Sequence, residues 1–169
     1  MISVRKTTLP ATALVRPYLN QSGTRADCFS AFVPQQVSLE EFVGQFYRGR
    51  LFRLERWIIK TLIGRPSTDA QIDSLLAGEN ETFSAWALEA HSDNQLIMCD
   101  YQNRTCSWFM TETGSDGTRL YFGTLLKPTT HFKRGEWLSK PLFTLMLPMH
   151  YLYSRLLLSQ AARSLRRVS

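Results

Sequence analysis

Three side chains in the middle of the chain are of the types that acid–base chemistry uses, namely Glu89, His91 and Asp100. Glu89 and His91 are two positions apart in a segment that alternates like a β-strand, so both are expected on one face of a sheet. Asp100 belongs to the next such segment and is expected diagonally across from Glu89 on that face. A carboxylate beside an imidazole can transfer protons near neutral pH. Because no nucleophile or glycine-rich loop accompanies them, simple exposure near a hairpin turn is the interpretation we favour.

The opposite face of the same sheet is expected to carry side chains that could bind a small molecule. Binding sites combine apolar and aromatic walls with a few polar groups that orient the ligand. Arginine can hold an acidic headgroup by two parallel hydrogen bonds, although arginines at strand ends more often reach into solvent. The candidate ligand-binding residues are Trp86, Tyr101, Arg104, Trp108, Arg119, Tyr121 and Met149.

The three cysteines, Cys28, Cys99 and Cys106, match no zinc or haem spacing. If residues 102–103 form a two-residue turn, Cys99 faces Cys106 across a hairpin and could approach disulfide distance. An odd cysteine count without a secretory leader favours a reducing compartment, in which both would be small buried side chains. We therefore predict a cytoplasmic protein with reduced cysteines.

Metal, cofactor and membrane-spanning functions have no support in the sequence. His131 and His150 stand apart from other ligand types, and no two histidines have the spacing of metal ligands. We predict no metal and no cofactor. No stretch reaches about 18 uninterrupted apolar residues, so no membrane-spanning helix is expected.

The net charge of +6 is concentrated in two basic segments. Such patches can attract anionic lipid or nucleic acid, but without a recognition motif we do not expect a nucleic acid partner. Residues 53–60, with Trp57 between charges, could lie on an anionic membrane, although a helix face in water is the commoner arrangement. The basic residues are Arg48, Arg50, Arg53, Arg56, Lys60 and Arg65 in the first segment and Arg155, Arg163, Arg166 and Arg167 in the second.

Alternating apolar residues and turn residues predict a curved antiparallel sheet of about five strands or more in one α+β domain, residues 26–169. The first strand is expected at residues 26–33, and the other four form a meander at residues 83–91, 95–101, 104–113 and 118–127. Residues 1–25 carry prolines and mixed polarity, so we predict an irregular N-terminal arm.

Helices are expected on both sides of the meander in the sequence. Ser38 and Glu41 form a capping box that begins a helix pair with a bend near residues 48–50. A short helix should follow from about residue 68. Pro148 is expected to begin a long C-terminal helix that ends near residue 166, because proline is favoured in a first helical turn.

Both faces of the predicted sheet are apolar, which a sheet with one wet face would not be. One face should therefore pack on the helices or line a cavity. The other needs a different cover: a second copy of the chain, the N-terminal arm or the loop after Pro128. We predict a homodimer through this face, with a strongly curled sheet buried within one chain as the alternative.

The order of strand, helix pair, antiparallel meander and long C-terminal helix resembles the helix-grip fold of the START and Bet v 1-like (SRPBCC) superfamily. Short strings at residues 26–29, 117–122 and 148–150 are similar to an uncharacterised bacterial branch of it, the DUF2867-like proteins. The resemblance covers residues 26–166, with five strands where full members have seven. It implies an apolar cavity between the sheet and the long helix, and some members are cyclases or hydratases.

Three functions are compatible with this sequence. The first is binding of a small apolar molecule in a cavity between the sheet and the C-terminal helix. The second is a cyclase or isomerase that uses Glu89, His91 or Asp100. The third is an interaction module that binds a protein or a membrane surface through its second apolar face and basic helix.

Overall fold

The structure is a computed structural model that describes the backbone of residues 2–63, 68–128 and 139–168. Side chains are described for these residues except 55, 58–60, 62–63, 139–149 and 167–168. The predicted polar loop after Pro128, including His131, therefore lies largely outside the described residues.

A single antiparallel sheet forms the centre of the molecule. In the described part of the chain its strands are β1 (Arg5–Lys6), β2 (Arg25–Ala26), β3 (Phe29–Val33), β4 (Thr82–Phe83), β5 (Trp86–Ser92), β6 (Gln95–Asp100), β7 (Thr105–Gly114) and β8 (Gly117–Leu126). Their order is β1-β3-β8-β7-β6-β5-β4, with β2 also paired to β8. The predicted α+β class and the meander from β5 to β8 are confirmed.

The sheet has eight strands in the described residues, three more than the five that the sequence located. The predicted first strand is two strands, β2 and β3, because the chain leaves the ladder at Asp27 and Cys28. β1 and β4 have two residues each, too few to show an alternating pattern. The connection between β6 and β7 covers residues 101–104 and not only the predicted two, but the register is as predicted, with Cys99 directly opposite Cys106.

Four helices complete the described structure: α1 (Leu39–Tyr47), α2 (Arg50–Ile63), α3 (Asp69–Leu76) and α4 (Ser139–Val168). The predicted capping box is present, since the Ser38 hydroxyl accepts from the backbone of Glu41 and the Glu41 carboxylate accepts from the backbone of Ser38. The predicted bend near residues 48–50 is the break between α1 and α2.

The long C-terminal helix begins earlier than predicted. α4 starts at Ser139, so Pro148 lies inside the helix and does not begin it. Proline is favoured in a first helical turn because its missing N–H would have no partner there, and Pro141 occupies that turn. Met149, a predicted ligand residue, lies in the part of α4 described by backbone alone.

One sheet face packs against α1 and α4, and we call it the helix face. Its core is aromatic, because α1 places Phe46 with its ring centroid 4.8 Å from that of Phe109 and 4.6 Å from that of Phe122. α4 adds buried apolar side chains, including Leu158 and Leu165, to the same cluster. Each large apolar side chain buried here contributes about 1.5–3 kcal/mol to folding.

The other face is covered by the N-terminal arm, and we call it the arm face. The arm carries β1 and a 3₁₀ helix, Arg16–Asn20. Its side chains pack on the sheet around Trp108 and Leu125. The apolar pattern that suggested a homodimer through this face is therefore satisfied within one chain. The arm residues that contribute are Leu9, Ala13, Leu14, Val15 and Tyr18.

Candidate functional site

A β-bulge separates Glu89 from His91, two of the three predicted acid–base residues. The pairing of β5 with β6 shifts by one residue between Leu88 and Ala90, which leaves Glu89 without a partner in the ladder. One extra residue turns every side chain beyond it to the other face. His91 therefore lies on the helix face, whereas Glu89 contacts Lys127 on the arm face. The prediction that they share a face was wrong.

Asp100 caps the hairpin between β6 and β7. Its Oδ1 accepts hydrogen bonds from the backbone N–H groups of Gln102 at 3.0 Å and Arg104 at 2.9 Å. It pairs with Trp86, at the opposite end of β5 from His91. This carboxylate has a structural role in the turn, which is typical of aspartate.

Glu89 belongs to a polar cluster that ties the arm to the sheet. Lys127 Nζ lies 2.8 Å from Glu89 Oε1 and 2.7 Å from Asn103 Oδ1, and 4.8 Å from the centroid of the Tyr18 ring. The hydrogen bond from Lys127 lowers the pKa of Glu89, although partial burial opposes the shift. Burial, followed by the nearby Glu89 carboxylate, raises the pKa of Tyr18. The cluster stabilises the position of the 3₁₀ helix.

The predicted ligand residues are divided between the two faces. Trp108 and Tyr121 belong to the arm-face cluster, and Trp108 is 0% exposed. Trp86 lies on the helix face, where its ring centroid is 5.2 Å from that of Phe52. The bulge in β5 causes this division, because it reverses Trp86 relative to Trp108. They do not form one wall between the sheet and α4, as was predicted.

The other predicted ligand residues lie far from one another. Tyr101 and Arg104 are exposed beside the turn between β6 and β7, whereas Arg119 is exposed on β8 near the other end of the sheet. These positions do not converge on a common pocket.

A buried glutamine that the sequence analysis missed joins the arm to Trp108. Gln95 Oε1 accepts hydrogen bonds from the backbone N–H of Leu14 at 2.8 Å and from Trp108 Nε1 at 3.0 Å. Gln95 Nε2 donates to the carbonyl oxygen of Thr12 at 2.9 Å. The available signal was an amide directly before the apolar run at residues 96–99, since a buried amide needs partners.

His150, which was predicted to be isolated, pairs with Asp27. His150 Nε2 lies 3.2 Å from Asp27 Oδ2, and Asp27 Oδ1 accepts from the backbone N–H of Thr124 at 2.7 Å. A carboxylate that orients an imidazole is an arrangement that general bases use, but no described nucleophile hydrogen-bonds to His150. The pair joins α4 to the break between β2 and β3. Its members are 123 residues apart, so spacing could not have indicated it.

Cys99 and Cys106 form a disulfide across the hairpin, which corrects the prediction of two reduced cysteines. Cys28 is free and buried. Burial, with a smaller contribution from the Asp27 carboxylate, raises the pKa of the Cys28 thiol to about 12. Disulfides are rare in reducing compartments, so the cytoplasmic location that rested on the cysteine count stays a prediction.

Part of the predicted basic patch is neutralised by α3. Arg56 Nη1 lies 2.6 Å from Asp69 Oδ1, and Arg53 also pairs with Asp69 at 3.4 Å. Arg48 pairs with Asp73. The hydrogen bond from Arg56 is the largest cause that lowers the pKa of Asp69. The pairs of Arg53 and Arg56 join α2 to α3, and the pair of Arg48 joins the end of α1 to α3. Two carboxylates therefore offset part of the charge of these three arginines.

An open cleft of about 280 Å³ lies between α1, α3 and the hairpin of β5 and β6. It is on the helix face, and two of its described lining residues, Glu40 and His91, are titratable. Gly78, at the end of α3, has open space where a side chain would begin. The apolar residues that line it are Leu39, Val43, Leu75, Leu76, Ala77, Leu88 and Leu96.

Comparison of the chain with protein-family models, curated proteins and solved structures gives no match. The resemblance to the START and Bet v 1-like superfamily therefore stays a prediction from the sequence. No helix in the described ranges combines the length and the apolar character needed to cross a membrane. Within those ranges, no three His, Cys, Asp or Glu side chains converge as metal ligands. The fold defines an α+β protein whose sheet is covered by helices on one face and by its own N-terminal arm on the other.

Proposed function

We propose that this protein binds a small, mainly apolar molecule in the cleft between α1, α3 and the β5–β6 hairpin. The observation that carries the proposal is the composition of the cleft: leucine and valine walls on three sides, with His91 and Glu40 among the lining residues. This mixture of apolar walls and few polar groups is typical of ligand sites.

The size and polarity of the cleft define the class of ligand. Its volume of about 280 Å³ is just below the range of about 300–1,000 Å³ that is usual for small-molecule sites, so the ligand should be small. His91 can donate or accept a hydrogen bond, and ionised Glu40 can only accept. The ligand that fits is an apolar body with one hydroxyl, amine or amide group.

This position differs from the cavity expected between the sheet and the C-terminal helix. The described side chains of α4 between Leu157 and Leu165 include Leu158 and Ala162, which are buried in the core against the sheet and α1. That part of the interface is filled. The cleft next to α3 offers open volume on the same helix face.

Binding of the neutral dye N-phenyl-1-naphthylamine, followed by its fluorescence, tests the proposal. The dye should bind the wild-type chain, and Leu88→Trp should weaken its affinity about tenfold or more, because an indole would occupy the cleft. Leu152→Trp is the matched control, since Leu152 is exposed on α4 and outside the cleft. Its dye affinity should equal that of the wild type.

Thermal unfolding of both variants separates binding from stability. Each midpoint should stay within about 4 °C of the wild type, which for this size corresponds to about 1 kcal/mol. Equal dye affinity in Leu88→Trp and the wild type would contradict the proposal. So would a wild-type chain that does not bind the dye.

The cyclase or isomerase alternative would use Glu89, His91 or Asp100 on a sheet face that lines the pocket. The bulge leaves His91 at the cleft, while Glu89 pairs with Lys127 and Asp100 caps a turn. We therefore propose binding without a reaction at this site.

A second candidate function is binding to an anionic membrane surface through α2. Trp57 is 62% exposed and Leu54 is 56% exposed, on the side of α2 that also carries Arg50. Aromatic and basic side chains on one exposed face are typical of interfacial helices. Sedimentation with phosphatidylserine vesicles at low salt should deplete the wild type more than Trp57→Ser. No sedimentation at low salt would exclude this function, because screening is weakest there.

A further inference from the structure

A second cavity, of about 420 Å³, lies at the β1 edge of the sheet. β1 pairs with only the first two residues of β3, which continues to Val33. Before Arg5 the chain no longer pairs with β3, and the cavity opens between Ile2 and Ser3 on one side and Phe32 on the other. The ligand cleft proposed above is beside β5 and β6, near the opposite edge, so the two cavities are separate.

Three arginines from three different elements line this second cavity. Arg5 comes from β1, Arg119 from β8 and Arg166 from the last turns of α4. All three are exposed, and none lies within 4.0 Å of a carboxylate in the described part of the chain. No acidic residue is among the described lining residues. Because these charges are far apart in the sequence, only the fold brings them together.

One carboxylate partly offsets this charge from outside the cavity. Glu112 is directly opposite Arg119 in the β7–β8 ladder, and its Oε2 accepts a hydrogen bond from the Tyr121 hydroxyl at 2.8 Å. Three guanidinium groups against one carboxylate leave two positive charges unbalanced. A concave site with excess positive charge attracts anions and concentrates them.

The remaining lining groups suit an organic anion better than a bare ion. Ser3 and Ser30 carry hydroxyl groups that can donate to an oxyanion. Ile2, Phe32 and Pro34 form an apolar side that can pack against a hydrocarbon or aromatic body. Phe32 is 44% exposed, so its ring is accessible to such a body.

We propose that this cavity is a binding site for a small organic oxyanion, with a phosphate or carboxylate group held by Arg5, Arg119 and Arg166. The planar guanidinium group matches both anions by paired hydrogen bonds. The apolar body of the ligand lies against Phe32. This site is independent of the apolar-ligand cleft, and either proposal can fail without the other.

Titration of the full chain with three matched phenyl compounds, followed by backbone amide NMR shifts, tests the site. Phenyl phosphate or benzoate should give saturable shifts at Ser3, Phe32 and Arg119, whereas neutral phenol should not. Saturation by phenyl phosphate alone assigns a phosphate ligand, and saturation by benzoate alone assigns a carboxylate. Ionic strength is held at about 0.15 M, where distant surface charges are screened.

Arginine variants show whether the cavity or the overall charge is responsible. Arg119→Gln and Arg166→Gln should each weaken binding of the anion about tenfold or more, because charge-assisted hydrogen bonds are the strong ones. Arg155→Gln removes the same charge from an exposed position on α4 outside the cavity and should change affinity less than about twofold. Arg166, at an exposed helix end, provides a folded variant if Arg119→Gln is unstable. Equal weakening by Arg155→Gln, or no saturable shift with either anion, overturns the proposal.

Discussion

Trp108 Nε1 donates a hydrogen bond to Gln95 Oε1 at 3.0 Å, between the sheet and the N-terminal arm. The same oxygen accepts from the backbone N–H of Leu14, so one amide group connects the buried tryptophan to the arm. Trp108 stands opposite Gly123 in the ladder. A Cβ at Gly123 would lie 2.4 Å from the carbonyl oxygen of Asp27, so only glycine fits where the chain crosses between β2 and β3.

Replacement of Gln95 with leucine should release the arm. The change leaves the Trp108 indole N–H and the Leu14 amide without their acceptor, and each unsatisfied buried group costs about 1–3 kcal/mol. We expect the free energy of unfolding to fall by about 3 kcal/mol, and hydrogen exchange to accelerate at residues 9–18. Gln36→Leu is the control, because Gln36 is exposed and donates one bond to Gly114. Unchanged exchange in the arm would contradict the role of Gln95.

The ion pair of Glu89 with Lys127 predicts a dependence of stability on acid pH. The pKa of Glu89 is lower in the folded chain, so its contribution is complete above the unfolded value of about 4.3 and is lost as pH falls through the folded value. Glu89→Gln should destabilise the protein by about 1 kcal/mol at pH 7 and by almost nothing near pH 3, measured by urea unfolding. The exposed Glu79→Gln is the control. If Glu89→Gln were still less stable than the wild type near pH 3, the charge of Glu89 would not be the cause of the destabilisation.

The raised pKa of Tyr121 predicts that stability also depends on pH in the alkaline range. Burial, followed by the hydrogen bond to Glu112, raises the pKa of Tyr121 to about 12. Because the folded value exceeds the unfolded value, the contribution is complete below about pH 10 and is lost as pH rises towards 12. Between pH 9 and 11, wild type should lose about 1 kcal/mol more unfolding free energy than Tyr121→Phe. Tyr101→Phe, at an exposed tyrosine, should lose as much unfolding free energy as the wild type. Equal losses in the wild type, Tyr121→Phe and Tyr101→Phe would refute the raised pKa of Tyr121.

Thiol counting tests the disulfide between Cys99 and Cys106. In the chain of three cysteines, iodoacetamide in denaturant should modify one thiol before reduction and three after it, read from the intact mass. In the native protein Cys28 should react slowly at pH 8, because it is buried and burial raises its pKa to about 12. Three modified thiols without reductant would contradict the disulfide and support the reduced cysteines predicted from the sequence.

The elements with local signals could be predicted from the sequence. The capping box at Ser38 and Glu41 and the turn that Asp100 caps use side chains within a few positions of the backbone groups that they satisfy. The facing positions of Cys99 and Cys106 followed from the turn alone. Only their oxidation state was wrong, because it depends on chemistry that spacing does not determine.

The candidate sites depend on the tertiary structure. Because Glu89 is an extra, unpaired residue in β5, the side chains on either side of it point to opposite faces, and Glu89 and His91 do not share a face. No pattern in the strand indicated where the extra residue would lie. The arginines of the edge cavity come from β1, β8 and α4, and the cleft from α1, α3 and two strands.

The sequence by itself determined the α+β class, the order of the main elements and the apolar character of both sheet faces. It did so because hydrophobic period and turn chemistry act over a few residues. The tertiary structure decided that the N-terminal arm packs on one face, and which polar groups meet, while the homodimer stays a prediction. Those choices depend on contacts such as that of Gln95 with Leu14, 81 positions apart, which form only when the whole chain has folded.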